Sequence, residues 1–331
     1  MQERHFFSDV ASISWLTWGA RRLFWSGAKE PKLLGDSPLE SKALSLSACG
    51  TFPVKASAEH SKEYCIFLRK YFYDMKDDIV LDIPSKTLSD LLLSGDIVGV
   101  EIRDKDKVLI GCIFDIYAGN FQEESMGLVT WMCVAPSWRK KGIGTSLLYA
   151  LYYYCKPRKI HWWRNDGWLK SPLPPIYTEN KIIREHKKSE NNLVALEPVS
   201  MSRWTQRITE VWKKRNPDGF ILDDRLKASP WIECWEMKNK VVLVVQPTFE
   251  LKKGKRSICE LITWIFIDET RADNAEYLEE AINLLPYKYI EAPEAMPHTC
   301  NSWVKAGSTS WSCIGLDPGS IPKPILPLVT A

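Results

Sequence analysis

The chain has no apolar run of membrane-spanning length, no CxxC pair, and almost no charge imbalance. Its most apolar N-terminal stretch, Val10–Ala20, is roughly half of the ~20 residues a bilayer crossing needs. Glu3, Arg4 and Asp9 stand upstream of it instead of a clean positive region, which argues against a secretory leader. Trp15, Trp18 and Trp25, with Arg21 and Arg22 among them, suit an amphipathic segment over 10–25 resting on a membrane surface. They suit packing against a folded domain as well, and both readings stay open. The nine cysteines are scattered singly, and only Cys300 has a histidine near it, His298. An odd, unpaired set excludes a disulfide scaffold and offers no zinc pattern, so the reading is a reducing, cytoplasmic compartment and no metal. A net charge of +3 is too small for nucleic acid to be the main partner.

What remains is an ordinary soluble composition, 45% hydrophobic and 26% charged, in a chain of 331 residues. At about 150 residues per domain that length suggests two. Residues 1–58 read as an irregular arm, 59–198 as a first domain and 199–331 as a second. The first opens with an apolar-periodic helix from Glu59 and continues with strands at 96–104, 107–119 and 127–134. A glycine loop, a helix at 144–155 and a strand at 159–163 follow. The later part of 176–188 reads as helical. The second half repeats this order: a helix at 201–215, three strands within 231–268, a helix at 273–286 that Asp273 can cap, and strands at 287–293 and 310–316.

The most informative stretch is VTWMCVAPSWRKKGIGTSLLYAL at 129–151. Here a strand runs through Pro136 into Arg139, Lys140 and Lys141, then Gly142 and Gly144, then an apolar helix. The first amides of a helix lack intrahelical partners and sit at its positive end, so they bind phosphate oxygens. Glycines allow an anion to approach the backbone closely, the cations add charge, and Thr145 adds a hydroxyl. The closing GK[ST] of a P-loop is missing, and Leu147 stands where a dinucleotide fingerprint would carry its third glycine. The bland alternative is a solvated strand–helix turn.

The string V-x-P-x-W-R-x-x-G-x-G-x-x-L-L at 134–148 resembles the acyl-CoA-binding motif of the GNAT superfamily of N-acetyltransferases. In that superfamily the amides of R-x-x-G-x-G cradle the pyrophosphate of coenzyme A, and the pantetheine arm lies between two splayed strands. A narrower resemblance is to the N-myristoyltransferase family, carried by RRLFWSGAKEPKLL at 21–34, WMCV at 131–134 and IYTEN at 176–180. Behind the central strand of the second half, ITWIFIDETRADN has no basic-glycine loop. In that family, too, only the first of two halves carries the cofactor loop, which implies that the second binds the acceptor. The resemblance implies a mixed α/β (α+β) fold of two tandem acyl-CoA N-acyltransferase domains, each a twisted mixed sheet flanked by helices. It implies that Trp131 and Met132 amides form the oxyanion hole, and that Cys133, Val134 and the run Arg139, Lys140, Lys141, Gly142, Ile143, Gly144 and Thr145 hold the cofactor. It further implies that Thr178 positions the acceptor amine and that the carboxylate of Ala331 is the base. The co-substrate would be acyl-CoA, myristoyl-CoA or else acetyl-CoA. The acceptor would be a peptide or protein with a free N-terminal glycine, or a small amine, and the enzyme a monomer.

Aminolysis of a thioester needs a neutral amine, a stabilised oxyanion and a proton for the departing thiolate. His161, Glu123, Glu124 and Glu179 are further candidates for the base. For His161 the alternative is a buried histidine satisfied by hydrogen bonds. Cys133, between Met132 and Val134 with nothing nearby to lower its pKa, reads as packing. Of the run Tyr152–Tyr154, at most one or two can face a site, because successive helical residues point apart. Two other readings stand beside the leading one: an acetyltransferase using the first half alone, and a non-catalytic module that keeps the fold as a binding surface.

Overall fold

The computed structural model describes residues 51–74, 79–121, 124–155, 157–166, 177–185, 196–215, 232–252, 256–293 and 302–314. Of the sequence expectations, the arm up to residue 50, Glu123 and Ala331 lie outside these residues.

The first half begins with β1 (Pro53–Lys55), α1 (Ser61–Tyr71), β2 (Tyr73–Asp74), β3 (Ile79–Leu81) and α2 (Ser85–Ser94). Leu88 and Leu91, three apart, point α2 into the core, and Gly95 ends it in the left-handed region. The antiparallel strands β4 (Ile97–Arg103), β5 (Leu109–Phe121) and β6 (Glu124–Val134) follow. Helix α3 (Ile143–Tyr154) then crosses over to β7 (Arg158–Asp166), which runs parallel to β6. A parallel neighbour cannot be reached by a tight turn, and α3, buried along most of its length, is the crossover.

The second half repeats the plan. Helix α4 (Met201–Arg215) precedes β10 (Glu233–Met237), β11 (Val241–Lys252) and β12 (Arg256–Phe266), an antiparallel run. Helix α5 (Asn274–Leu284) crosses to β13 (Tyr289–Pro293), parallel to β12. Between the two units lie β8 (Tyr177–Glu185) and the last strand, β14 (Val304–Ile314), while β9 (Leu196–Val199) closes the far edge.

Among the described residues, fourteen strands form one sheet; its main path is β1-β4-β5-β6-β7-β14-β8-β13-β12-β11-β10-β9, with β2 and β3 off it. The sheet therefore runs unbroken across the division expected at 198/199. Late in sequence, β14 inserts between β7 and β8, and β3 adds to the edge of β11. One apolar core is correspondingly continuous through both halves: Tyr64, Phe114 and Trp162 belong to it together with Ile208, Val242 and Ile265.

The expected helix in 176–188 is a correction, since Tyr177–Glu185 is the strand β8. Lys181 and Arg184 are buried, held by Glu260 of β12 and by Glu279 of helix α5. Asp273 precedes α5 as expected but makes no side-chain cap; its carboxylate meets Arg271 instead.

Candidate active site

Strands β6 and β7 are partners only from Ser125–Arg158 to Val129–Trp163. Past Val129, β6 continues to Val134 against β5 alone, while β7 continues against β14 to Asp166. The two strands thus part between them, leaving an opening above the Val129–Trp163 pair.

At that opening β6 carries a bulge. Phe114 faces Thr130 and Cys112 faces Cys133, so Trp131 and Met132 together oppose the single residue Ile113. Trp131 takes φ 49, a left-handed value that a bulky residue adopts only under constraint. Its buried indole packs edge-on against Phe114 at 6.0 Å, which is the constraint. A bulge is a place where a strand re-aims its backbone groups out of the ladder.

The strand leads into the basic turn. The Ala135 amide donates to the Ile110 carbonyl at 2.9 Å, and Pro136–Trp138 make a 3-10 turn. Arg139 Nε donates to the Val134 carbonyl at 3.0 Å, and the Lys141 ammonium lies 4.8 Å over the Trp138 ring. Lys140 (φ 63) and Gly142 (φ 78) are both left-handed, a backbone form that gathers amides into an anion-binding concavity. The first internal bond of α3 runs from the Ser146 amide to the Gly142 carbonyl, at 3.0 Å. The amides of Gly142, Ile143, Gly144 and Thr145 thus precede the helical ladder. No side chain caps them, and no acidic residue stands in the first turn. Arg139 through Gly142 are exposed, Thr145 is half-buried, and Ile143 is sunk in the core, where it anchors the helix start. The residues expected to hold a diphosphate are brought together at the head of the β6–β7 opening.

The equivalent turn of the second half is acidic, carrying Asp268, Glu269 and Asp273 before α5. Thr270, donating through its hydroxyl and amide, holds the Asp268 carboxyl below the usual range. This turn has no glycine and a single cation, Arg271, which is paired with Asp273.

Cys133 faces the core, where burial pushes its thiol up to about 12, with only a small opposing pull from Arg139. A thiol this reluctant to ionise is no nucleophile. Cys133→Ser is therefore expected to keep acyl transfer within a few-fold of wild type and to leave no covalent acyl-enzyme in a quenched-reaction mass spectrum.

His161 lies in the middle of β7, opposite Gly127, two residues below the opening, and is 3% exposed. Its Nδ1 is 3.3 Å from Oδ2 of the fully buried Asp115. Burial alone would raise the Asp115 carboxyl, but His161 and Arg158 outweigh it and hold the group low. Thr178 is in β8 opposite Ser310, and Glu179 opposite Thr309. Glu124 begins β6, at the end away from the opening.

Sequence reasoning missed a second cluster. Arg164, next after the last β6-paired residue of β7, donates from Nη1 to Glu260 Oε2 at 3.1 Å, and its Nη2 is 3.8 Å from Glu291. Lys181 takes the other oxygen of Glu260. Glu260 and Glu291 form the last β12–β13 pair, where the second half makes its own opening. The curled sheet thus brings both strand openings against one set of charges. A glutamate interrupting the apolar run SICELITW was the available signal.

Residues 64–166 match the family model of the Acetyltransferase (GNAT) family. No curated protein sequence matches the chain. Among solved structures it is similar to Saccharomyces cerevisiae N-myristoyltransferase with bound myristoyl-CoA, at TM-score 0.62 and 10% identity over 87% of this chain and 84% of that one. The same yeast enzyme with myristoyl-CoA and inhibitors aligns over 96% of this chain and 91% of that, again at TM-score 0.62 and 10% identity. A putative acetyltransferase from Pyrococcus horikoshii aligns at TM-score 0.53 and 13% identity, over 83% and 93%. At such identities the likeness is one of fold. The family match covers residues 64–166, and the whole chain shares the tandem fold of the yeast enzyme.

Proposed function

We propose that this chain transfers a fatty acyl group from acyl-CoA to the N-terminal glycine of a peptide or protein by direct attack on the thioester. The observation that carries the reading is the parting of β6 from β7 directly below the basic turn and the unladdered amides of α3. In this reading the amides and cations of Arg139–Thr145 hold the diphosphate, and the pantetheine arm fills the opening. The thioester carbonyl comes to the bulge at Trp131 and Met132, whose backbone polarises it. The amine attacks the carbonyl carbon, the tetrahedral oxyanion is stabilised there, and the C–S bond breaks as the thiolate leaves. The proton lost by the amine balances the thiolate. Deleting one oxyanion donor elsewhere costs roughly 3–4 kcal/mol, and holding the two reactants together contributes more.

The preference for a long acyl chain is supported by the tandem fold shared with an enzyme that binds myristoyl-CoA. The alternative, acetyl transfer, is supported by the family match and by the Gly142–Gly144 pair. An assay with acetyl-, octanoyl-, myristoyl- and palmitoyl-CoA against glycine-terminal peptides separates them. The expected product is the myristoylated peptide, lost when the peptide's N-terminus is blocked. Transfer of acetyl alone would replace the fatty-acyl reading, and no product with any donor would overturn it.

A further inference from the structure

Below the β6–β7 opening, on the face covered by α3, three strands are joined by one carboxylate. Asp115 on β5 reaches over Gly127 on β6 to His161 on β7, with Oδ2 3.3 Å from Nδ1. It crosses only because position 127 has no side chain: a Cβ there would lie 2.0 Å from Asp115 Oδ1 and 2.3 Å from Oδ2. Arg158, the first residue of β7, holds the same aspartate through its carboxylate (3.2 Å) and its carbonyl (2.7 Å). The other Arg158 nitrogen takes the carbonyls of Gly95 and Asp96, at the end of α2. On the far side the His161 ring meets the Tyr152 ring of α3 edge-on at 4.8 Å. The Tyr152 hydroxyl accepts from the indole of Trp163 at 3.4 Å, and Trp163 is the last β7 residue still paired with β6.

A fully buried ionised group is expensive unless something compensates it, and apolar residues would hold three strands together as well. Neither Asp115 Oδ1 nor His161 Nδ1 makes an aligned hydrogen bond, so the 3.3 Å approach of the two side chains is a close polar contact. The Cys155 thiol also stands beside the carboxylate. What the carboxylate does that a leucine would not is fix direction. It ties β7 to β5 immediately before β7 swings away, and through His161 and Tyr152 it docks the far end of the helix whose head forms the anion site.

We propose that Asp115, His161 and Tyr152, with Gly127 as the gap they need, are positioning residues that set how far β6 and β7 part and where the head of α3 stands relative to that opening. The inference rests on the acyl-CoA reading of the site. Gly127→Ala displaces the carboxylate and is expected to raise the Kd for myristoyl-CoA about tenfold in calorimetric titration of the full chain. Asp115→Ala should do the same, and the two together should be no worse than either, because the added methyl then meets empty space. Tyr152→Phe keeps the ring on His161 and drops only the hydroxyl, so it serves if the others fold poorly. Its Kd should rise two- to tenfold, no more than the worth of one neutral hydrogen bond, with the fold retained by circular dichroism.

Unchanged Kd values in all the folded variants, whatever their midpoints, would reduce the cluster to a structural one and overturn the proposal. Multiplying losses in the double variant would overturn it too. A phosphate-turn variant, Gly142→Asp, separates the two levels. Binding that survives Gly142→Asp defeats the placement of the phosphates at this turn, on which the positioning role depends. Binding lost in Gly142→Asp but untouched in Gly127→Ala and Tyr152→Phe defeats only the positioning role.

Discussion

Gly142→Asp is expected to abolish acyl-CoA binding, while Gly142→Asn, of the same shape, should weaken it by no more than tenfold. Gly142 has φ 78 and nothing within 4 Å of where a Cβ would lie, so the replacement meets conformational strain and no clash. Asparagine and aspartate are the side chains that tolerate this region best, and the strain is about 1–2 kcal/mol in either. The pair therefore differs in charge alone. A carboxylate about 5 Å from one phosphate charge repels it by about 3 kcal/mol at an effective dielectric of 20, and a diphosphate carries more than one such charge. More than a hundredfold separation between the two variants follows, shrinking as salt is added. Titration with coenzyme A at two ionic strengths checks it. Equal affinities for both variants would place the phosphates somewhere else.

Glu260→Ala should be among the most destabilising single substitutions in the chain. It removes the carboxylate that meets both Lys181 and Arg164 in buried surroundings. Removing one partner of a buried pair typically costs about 3–5 kcal/mol, because the remaining charge keeps its desolvation penalty without its compensation. The double variant Lys181→Met, Glu260→Met should recover much of that, since Arg164 retains Glu291 and the lysine charge is gone. Urea unfolding followed by tryptophan fluorescence measures both. If the double variant is as unstable as the single, the ion pair is not what joins β7, β8 and β12.

The path from β6 through the basic turn into α3 was readable in sequence because it is contiguous. A strand, three cations, two glycines and an apolar helix sit within 23 residues, VTWMCVAPSWRKKGIGTSLLYAL, and local rules act at that range. The helix 201–215 and the strands 97–103 and 233–237 were legible for the same reason, their apolar periodicity being undisturbed. Strand β8 was not. Its lysine and arginine are buried only because Glu260 and Glu279, some eighty to a hundred positions onward, are placed beside them. The same holds for Asp115, whose partners Arg158 and His161 are more than forty residues away.

Alone, the amino-acid order determined the repeated helix–meander–crossover plan and the composition of the basic glycine turn, because propensity, periodicity and backbone freedom are properties of neighbours in the chain. Only the folded molecule decided where β6 and β7 separate, that β14 enters the middle of the sheet, and that Asp115, Gly127 and His161 lie in one line across three strands. Those outcomes depend on strand register and on charges meeting in low dielectric, and neither is written in any single stretch of sequence.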